Sequence, residues 1–345
     1  MAAASGRDLA ALPKAHLHLH FTGSMRPATL LDLAERHGMR LPEALRAGEP
    51  PRLRATDEKG WFRFQRLYDL ARACVRGEAD LRRLVHEAAQ DDAREGSRWL
   101  ELQVDPTSYA PHVGGLTPAV EIVLDAAREA TASTGVGVAI VIAASRVRHP
   151  LEARTLARLA ARYAGSGPGH VVGFGLSNDE RRGSTPEFAA AFRIAARAGL
   201  ATVPHAGELL GPRAVRETLD ALGPDRIGHG VRSVEDAAVL AEVVARGVTL
   251  EVCPGSNVAL GVYEDPAKVP LRELLNAGAR LALGADDPLL FGTRLVDQYR
   301  LAREVHGLDD AALADLARSS LLGSRAPSDV LSRALVDVDA WLAGP

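Results

Sequence analysis

Short runs rich in Val, Ile, Leu and Ala recur along this chain, separated by longer stretches in which apolar residues return every three or four positions. The first pattern suits strands buried on both faces, and the second suits amphipathic helices packed over them. Eight strand-like runs stand out, at 15–20, 99–104, 136–143, 171–176, 201–205, 226–229, 248–252 and 280–284. Helical spacing covers 118–132, 151–164, 186–198, 212–222 and 234–246, and these segments end near Gly or Pro. Alternation of this kind predicts a parallel sheet, and eight repeats of it predict an α/β protein built as a single (β/α)8 TIM barrel spanning 1–345. The gap between the first two runs is far longer than a crossover needs, so 25–98 is expected to form a helical insertion that caps the barrel. Beyond Pro288 the periodicity predicts extra helices at the C-terminus, over 309–320 and 327–342. An open, doubly wound sheet is the competing architecture, but no glycine-rich phosphate loop follows any of the runs.

Composition narrows the class of partner. With 345 residues, 47% hydrophobic and 25% charged, the chain lies among ordinary globular proteins and is long enough for a large core. Its 41 basic and 44 acidic side chains leave a formal charge of -3, so no global positive field holds a phosphate backbone and no nucleic-acid partner is expected. Cys74 and Cys253 are the only cysteines, too few for a disulfide scaffold and expected to be buried thiols. Residues 1–12 carry no apolar segment behind a basic patch, and no apolar run approaches the roughly 18 residues of a membrane span. No membrane association is expected, the cytoplasm is the expected location, and the pattern specifies no oligomer.

Polar residues collect where the strand-like runs end, and in a barrel those ends share the face on which active sites are built. His16-Leu17-His18-Leu19-His20 closes the first run, and alternation along a strand lets two or three of its imidazoles converge on one point. The fifth run ends in His205-Ala206-Gly207-Glu208, the sixth in His229, and the eighth is followed by Asp286-Asp287-Pro288. Singly, each has a bland explanation, since Asp-Asp-Pro can cap a helix and His-Gly can close a strand. Together they point to a shared site. Imidazoles joined by a carboxylate are a ligand mix preferred by Zn²⁺, with a position left for water, and hydrolysis is its natural use. A nearby unligated histidine can deprotonate water, and a glutamate in a partly dry pocket can hold a proton for the substrate. Two-metal barrel hydrolases commonly use a modified lysine at the end of the fourth strand, whereas Lys14, Lys59 and Lys268, the only lysines, lie outside 171–176. The zinc deaminases that act on flipped bases carry His-x-Glu and Pro-Cys-x-x-Cys, and here Cys253 precedes Pro254 with no second cysteine nearby.

In order along the chain, Leu12-Pro13-Lys14-Ala15-His16-Leu17-His18-Leu19-His20 with Gly23-Ser24, then His205-Ala206-Gly207-Glu208, Gly228-His229-Gly230, Glu251-Val252-Cys253-Pro254 and Asp286-Asp287-Pro288 resemble the adenosine deaminase family. The resemblance spans nearly the whole chain. It implies a (β/α)8 barrel with one Zn²⁺ per chain, held by His18, His20, His205 and Asp286. It further implies that Glu208 protonates purine N1, that His229 handles the attacking water and that Asp287 hydrogen-bonds N7, so that water adds at C6 and ammonia leaves. The implied partner is a small-molecule purine nucleoside. A barrel kept only as a structural or signalling module would be expected to have lost some of these residues, and all are present. An RNA-acting deaminase of this fold would need a strand-binding track that the acidic balance does not supply.

Departures from the family pattern bear on the substrate. Two residues after the second zinc histidine the family usually has an Asp that accepts a hydrogen bond from the ribose 5′-hydroxyl, and here that position is Thr22. Threonine weakens the anchor for a free 5′-hydroxyl and removes a carboxylate's bulk and repulsion, which suits a nucleoside extended at its 5′ end; it can also merely bond the backbone at a turn. The family's Asp-Leu-Ala-Gly-Asp-Glu stands here as Gly175-Leu176-Ser177-Asn178-Asp179-Glu180, with Asn178 where a glycine N–H meets purine N3. Asparagine tolerates left-handed geometry, so that contact can persist. Trp61-Phe62-Arg63-Phe64-Gln65-Arg66-Leu67-Tyr68, in the insertion, reads either as core or as a wall for an aromatic 5′ extension, with Arg63 or Arg66 free to pair with a carboxylate. These features resemble the branch that deaminates 6-amino-6-deoxyfutalosine, an adenosine whose 5′ carbon bears a chain ending in a benzoate, to futalosine in menaquinone biosynthesis. Adenosine or 2′-deoxyadenosine, another 5′-modified adenosine, and free adenine are the alternatives. Free adenine is the least favoured, because nothing marks the sugar space as filled.

Overall fold

The computed structural model describes residues 6–46 and 57–344, so 1–5, 345 and the 47–56 portion of the expected insertion lie outside the described residues. The apolar runs form eight strands: β1 (Lys14–His20), β2 (Ser97–Val104), β3 (Gly137–Ser145), β4 (Val171–Ser177), β5 (Ala201–Ala206), β6 (Arg226–His229), β7 (Thr249–Val252) and β8 (Arg280–Leu283). They are nearly continuous in apolar residues because the sheet is covered on both faces; β3 is buried along its whole length. Each strand pairs in parallel with the next, in the order β1 to β8. The ring closes just past the end of β8. There the N–H of Asp286 donates to the His18 carbonyl and the N–H of His20 donates to the Asp286 carbonyl, both at 3.0 Å. This is the (β/α)8 TIM barrel that the alternation predicts.

Most of the expected helices appear with small shifts, as Leu116–Thr134, Pro150–Arg162 and Pro212–Leu222. Two are interrupted: 186–198 becomes a 3₁₀ turn, Thr185–Phe188, followed by Ala189–Arg197, and 234–246 becomes Val231–Glu235 followed by Ala237–Ala245. The second break has a local cause. The Asp236 side chain accepts the N–H groups of Ala238 and Val239, so it starts a new helix inside a stretch whose periodicity runs on.

Between β1 and β2 the described residues form four helices, Pro27–Arg36, Glu43–Arg46, Glu58–Arg72 and Glu78–Arg94. Asp57 caps the third by accepting the Gly60 N–H at 2.6 Å. That helix buries Trp61, Phe64, Leu67 and Ala71, spaced three or four apart along one face. Phe64 stacks on Phe291 from the other end of the chain, with centroids 5.6 Å apart and planes at 14°. Each such large side chain contributes about 1.5–3 kcal/mol on burial, enough to hold the helix across the barrel mouth. At the C-terminus, Leu295–Glu304, Asp310–Gly323 and Ser328–Ala343 complete the shell, and the Ser320 hydroxyl accepts the Ala15 N–H of β1 at 3.0 Å. Cys74 and Cys253 are free and buried. Among the described residues no helix is long and apolar enough to cross a membrane.

Candidate active site

The strand ends deliver the predicted histidines to one point. His18 and His20 come from β1 and His205 from β5, and their ring nitrogens lie within 4.8 Å of one another. Nε2 of His20 is 3.2 Å from Nε2 of His205 and 3.2 Å from Oδ1 of Asp286, while Nε2 of His18 is 3.5 Å from that same oxygen. Ligands about 2.0–2.1 Å from a tetrahedral Zn²⁺ sit about 3.3–3.4 Å apart, so these separations are those of co-ligands. Nε2 of His18 is also buried without a hydrogen-bond partner, a cost that a cation removes. The quartet therefore fits a single divalent ion. Its outer partners are in place: Glu251 of β7 meets Nδ1 of His18 at 2.7 Å, and the Ser256 hydroxyl donates to Oδ2 of Asp286 at 2.5 Å. Arg226 in turn holds Glu251 at 2.6 Å.

His16 shares the alternation but not the site. Its Nδ1 lies 2.9 Å from Asp92 and its Nε2 accepts the Ala285 N–H at 3.1 Å, so both ring nitrogens hold structure.

Among the described residues only Asn178, His229 and Asp286 adopt positive φ without being glycine, at 80°, 65° and 62°. All three belong to this site. Such backbone costs of order 1–3 kcal/mol each and persists where the surroundings enforce it, which is characteristic of functional positions. Gly23 answers a different need, since a Cβ there would collide with Oδ1 and Cα of Asp287. The Gly-Ser pair after β1 thus leaves room for the second acid.

Three titratable groups face the quartet. Burial, reinforced by the charges of Asp286 and Glu180, pushes the Glu208 carboxyl well above the usual carboxylate range. Burial and the nearby His18 push His229 down to about 3, so this imidazole is neutral. Burial and the adjacent Asp286 push Asp287 well up, which makes it a hydrogen-bond donor. Nε2 of His229 lies 3.5 Å from Oε1 of Glu208 and 4.0 Å from Oδ2 of Asp286. A protonated carboxyl and a neutral imidazole side by side form a matched acid and base.

These groups form the floor of a pocket walled by Phe21, Trp61, Phe64, Tyr68, Tyr109, Asn178 and Leu260. Asn178 and Asp287 both line it. Thr22 does not reach the wall. It is buried, with its hydroxyl 2.5 Å from that of Tyr109, and Tyr109 is the residue presented to the pocket. The short threonine makes room for that phenol, so its influence on the pocket passes through Tyr109. Arg63 and Arg66 are likewise removed from the pocket: both are exposed, on the side of Glu58–Arg72 turned away from the buried face. Helical spacing aims Trp61, Gln65, Tyr68 and Arg72 inward instead, and the Arg72 guanidinium lies over the Tyr68 ring, 5.5 Å from its centroid. Reading 58–72 as one helix, rather than 61–68 as an aromatic cluster, would have singled out Arg72. Glu251 and Ser256 carried no signal of their own beyond lying next to the Cys-Pro motif. The pocket continues into an outer cleft that shares Trp61, Gln65, Arg72, Asp105 and Asn178 with it and adds Lys59, Arg146, Arg148 and Arg182.

A parallel barrel with such a cluster at its strand ends has the build of a barrel hydrolase. The profile of the adenosine deaminase family matches residues 13–341, and the chain belongs to that family of metal-dependent hydrolytic deaminases. A Streptomyces coelicolor protein provisionally named an adenosine/adenine deaminase is 62% identical over 97% of this chain and 98% of its own length. An aminodeoxyfutalosine deaminase from the same organism is 35% identical over 97% of this chain and 87% of that one. The crystal structure of an adenine deaminase from Arthrobacter aurescens superposes with a TM-score of 0.87 at 31% identity, covering 96% of this chain and 99% of that one.

Proposed function

We propose that the protein catalyses hydrolytic deamination at C6 of an adenine nucleoside. The observation that carries this reading is the facing of Glu208 and His229 across 3.5 Å beside the His18–His20–His205 triad and Asp286, at the floor of the pocket. The quartet would hold one Zn²⁺, which when bound supplies the Lewis acidity that makes water nucleophilic near neutral pH. Glu208, kept protonated by burial, donates to N1 of the base and draws electron density away from C6. Neutral His229 accepts a proton from the attacking water, and water adds at C6 as N1 is protonated. Asp287, also protonated, donates a hydrogen bond to N7 and fixes the ring's orientation. His229 then passes its proton to the amino group while the C6 hydroxyl returns one to Glu208, and departure of ammonia leaves the 6-oxopurine protonated at N1.

Within that class the substrate we propose is 6-amino-6-deoxyfutalosine. Its support is the outer cleft, which continues from the pocket past Arg72 and has room for a 5′ extension. A second reading, adenosine or adenine, is favoured by a specific comparison: the chain is 62% identical to one Streptomyces coelicolor protein and only 35% identical to the aminodeoxyfutalosine deaminase of the same organism. Ammonia release from the zinc-loaded enzyme, measured side by side on aminodeoxyfutalosine, adenosine, 2′-deoxyadenosine, 5′-methylthioadenosine and adenine, separates the two. The extended substrate is expected to give the highest kcat/KM; higher efficiency on adenosine or adenine assigns the enzyme to purine salvage. A small-molecule partner rather than nucleic acid completes the proposal and is supported by the near-neutral charge balance.

A further inference from the structure

Glu180 follows β4, is buried, and does not line the substrate pocket. Its carboxylate accepts four consecutive backbone N–H groups from the segment after β5: those of Gly207 at 2.6 Å, Glu208 at 3.1 Å, Leu209 at 2.8 Å and Leu210 at 2.9 Å. Oε1 accepts the Gly207 N–H and Oε2 accepts the other three, so the carboxylate gathers the whole turn onto one side chain. Gly207 makes the turn possible, with φ at 70° and no room for a Cβ against Val215. The same segment is gripped from its carbonyl side. Arg146, also buried, donates to the His205 carbonyl and, at 3.0 Å, to the Thr185 hydroxyl. An anion on the N–H groups and a cation on the carbonyl thus hold the short stretch that bears both His205 and Glu208.

We propose that Glu180 is a positioning residue for the reaction, acting through Glu208: by pinning the backbone at 207–210 it keeps the Glu208 carboxyl aimed at the substrate base, beside His229. The proposal rests on Glu208 being the general acid. In Glu180→Gln the amide keeps one oxygen and turns an NH2 group toward backbone N–H groups, so part of the four-donor grip is lost and the segment shifts. A displacement of about 1 Å at a catalytic group costs about 10²-fold in rate.

The test is a double-mutant cycle on the metal-loaded enzyme, read as kcat and KM, with bound metal and melting temperature measured on every variant. Glu180→Gln is expected to lower kcat about 10- to 100-fold, to change KM by less than about threefold, and to keep full metal content. In a Glu208→Gln background the same substitution is expected to change the residual kcat by less than about threefold, because the group it positions is gone. Equal losses in both backgrounds, a wild-type kcat in Glu180→Gln, or a loss of kcat that merely tracks lost metal at His205 would each overturn the proposal. Should Glu180→Gln not fold, Glu180→Asp, which keeps the acceptors on a shorter arm, carries the same cycle. A fully active Glu208→Gln enzyme would instead overturn the general-acid reading itself, so the two failures are distinguishable.

Discussion

At Glu208, burial and the charges of Asp286 and Glu180 act in the same direction, and the carboxyl keeps its proton well above the pH at which a free carboxylic acid loses it. Since the protonated form is the one proposed to act, kcat is expected to fall as pH rises through that raised value. Glu208→Gln is expected to retain its metal, lose about 10²–10⁴ in kcat and lose this alkaline limb; full activity in this variant would remove Glu208 from the chemistry. A second buried group affects stability rather than turnover. Burial pushes the Lys14 ammonium down to about 7 although Glu95 and Asp92 pull it up, and its Nζ donates to the Leu9 carbonyl at 3.0 Å and to the Glu95 carbonyl at 2.5 Å. The unfolded chain holds the same proton to about pH 10.4, so between pH 7 and about 10 the unfolded state binds more protons and stability rises with pH. The slope is at most about 1.4 kcal/mol per pH unit, and the contribution is flat below pH 7, where both states are protonated. Urea unfolding from pH 6 to 9.5 is expected to show this rise relative to Lys14→Met; parallel profiles for the two proteins would contradict it.

The helix Glu58–Arg72 shows how an element's face decides which of its residues matter. Arg72 lines both the pocket and the outer cleft and supports Tyr68, whereas Arg63 and Arg66 point to solvent. Arg72→Met is therefore expected to lower kcat/KM about tenfold, the equivalent of one cation–π support of about 1.4 kcal/mol, while Arg63→Ala and Arg66→Ala stay within about twofold. Larger losses in the Arg63 or Arg66 variants would reverse that assignment. The strands and the histidines on them were legible in the sequence because burial on both faces imposes apolar runs, and because a polar residue ending such a run has few structural reasons to be there. Asp286 was legible for the same reason. What the sequence concealed depends on contacts between distant segments. The Thr22 hydroxyl meets Tyr109 from beyond β2, Glu180 meets four N–H groups of the next strand's loop, and His16 turns to Asp92 on a helix. No local periodicity reports such pairings. The breaks at 188–189 and 236 were concealed otherwise, because a 3₁₀ turn and the helix after it preserve a run of apolar spacing.

Over the whole barrel, the candidate metal ligands stand on either side of its closure. His18 and His20 lie on β1, Asp286 lies just past β8 and bonds back to β1, and His205 faces them from β5. Behind His18, a buried chain of charges runs from Glu251 of β7 through Arg226 of β6 to Glu101 of β2, with Arg226 held by the two carboxylates at 2.6 and 2.5 Å. Removing one partner of such a chain is strongly destabilising, because it leaves a buried charge unmatched, so the network fixes the ring that carries the site. On the proposed reading, one ion in this quartet, served by Glu208 and His229, makes the barrel a purine deaminase. The most direct test is to strip the protein of metal and titrate Zn²⁺ back while measuring ammonia release from its best adenine nucleoside. Activity is expected to rise linearly and level off at one Zn²⁺ per chain; a plateau at two, or deamination indifferent to the metal, would contradict it.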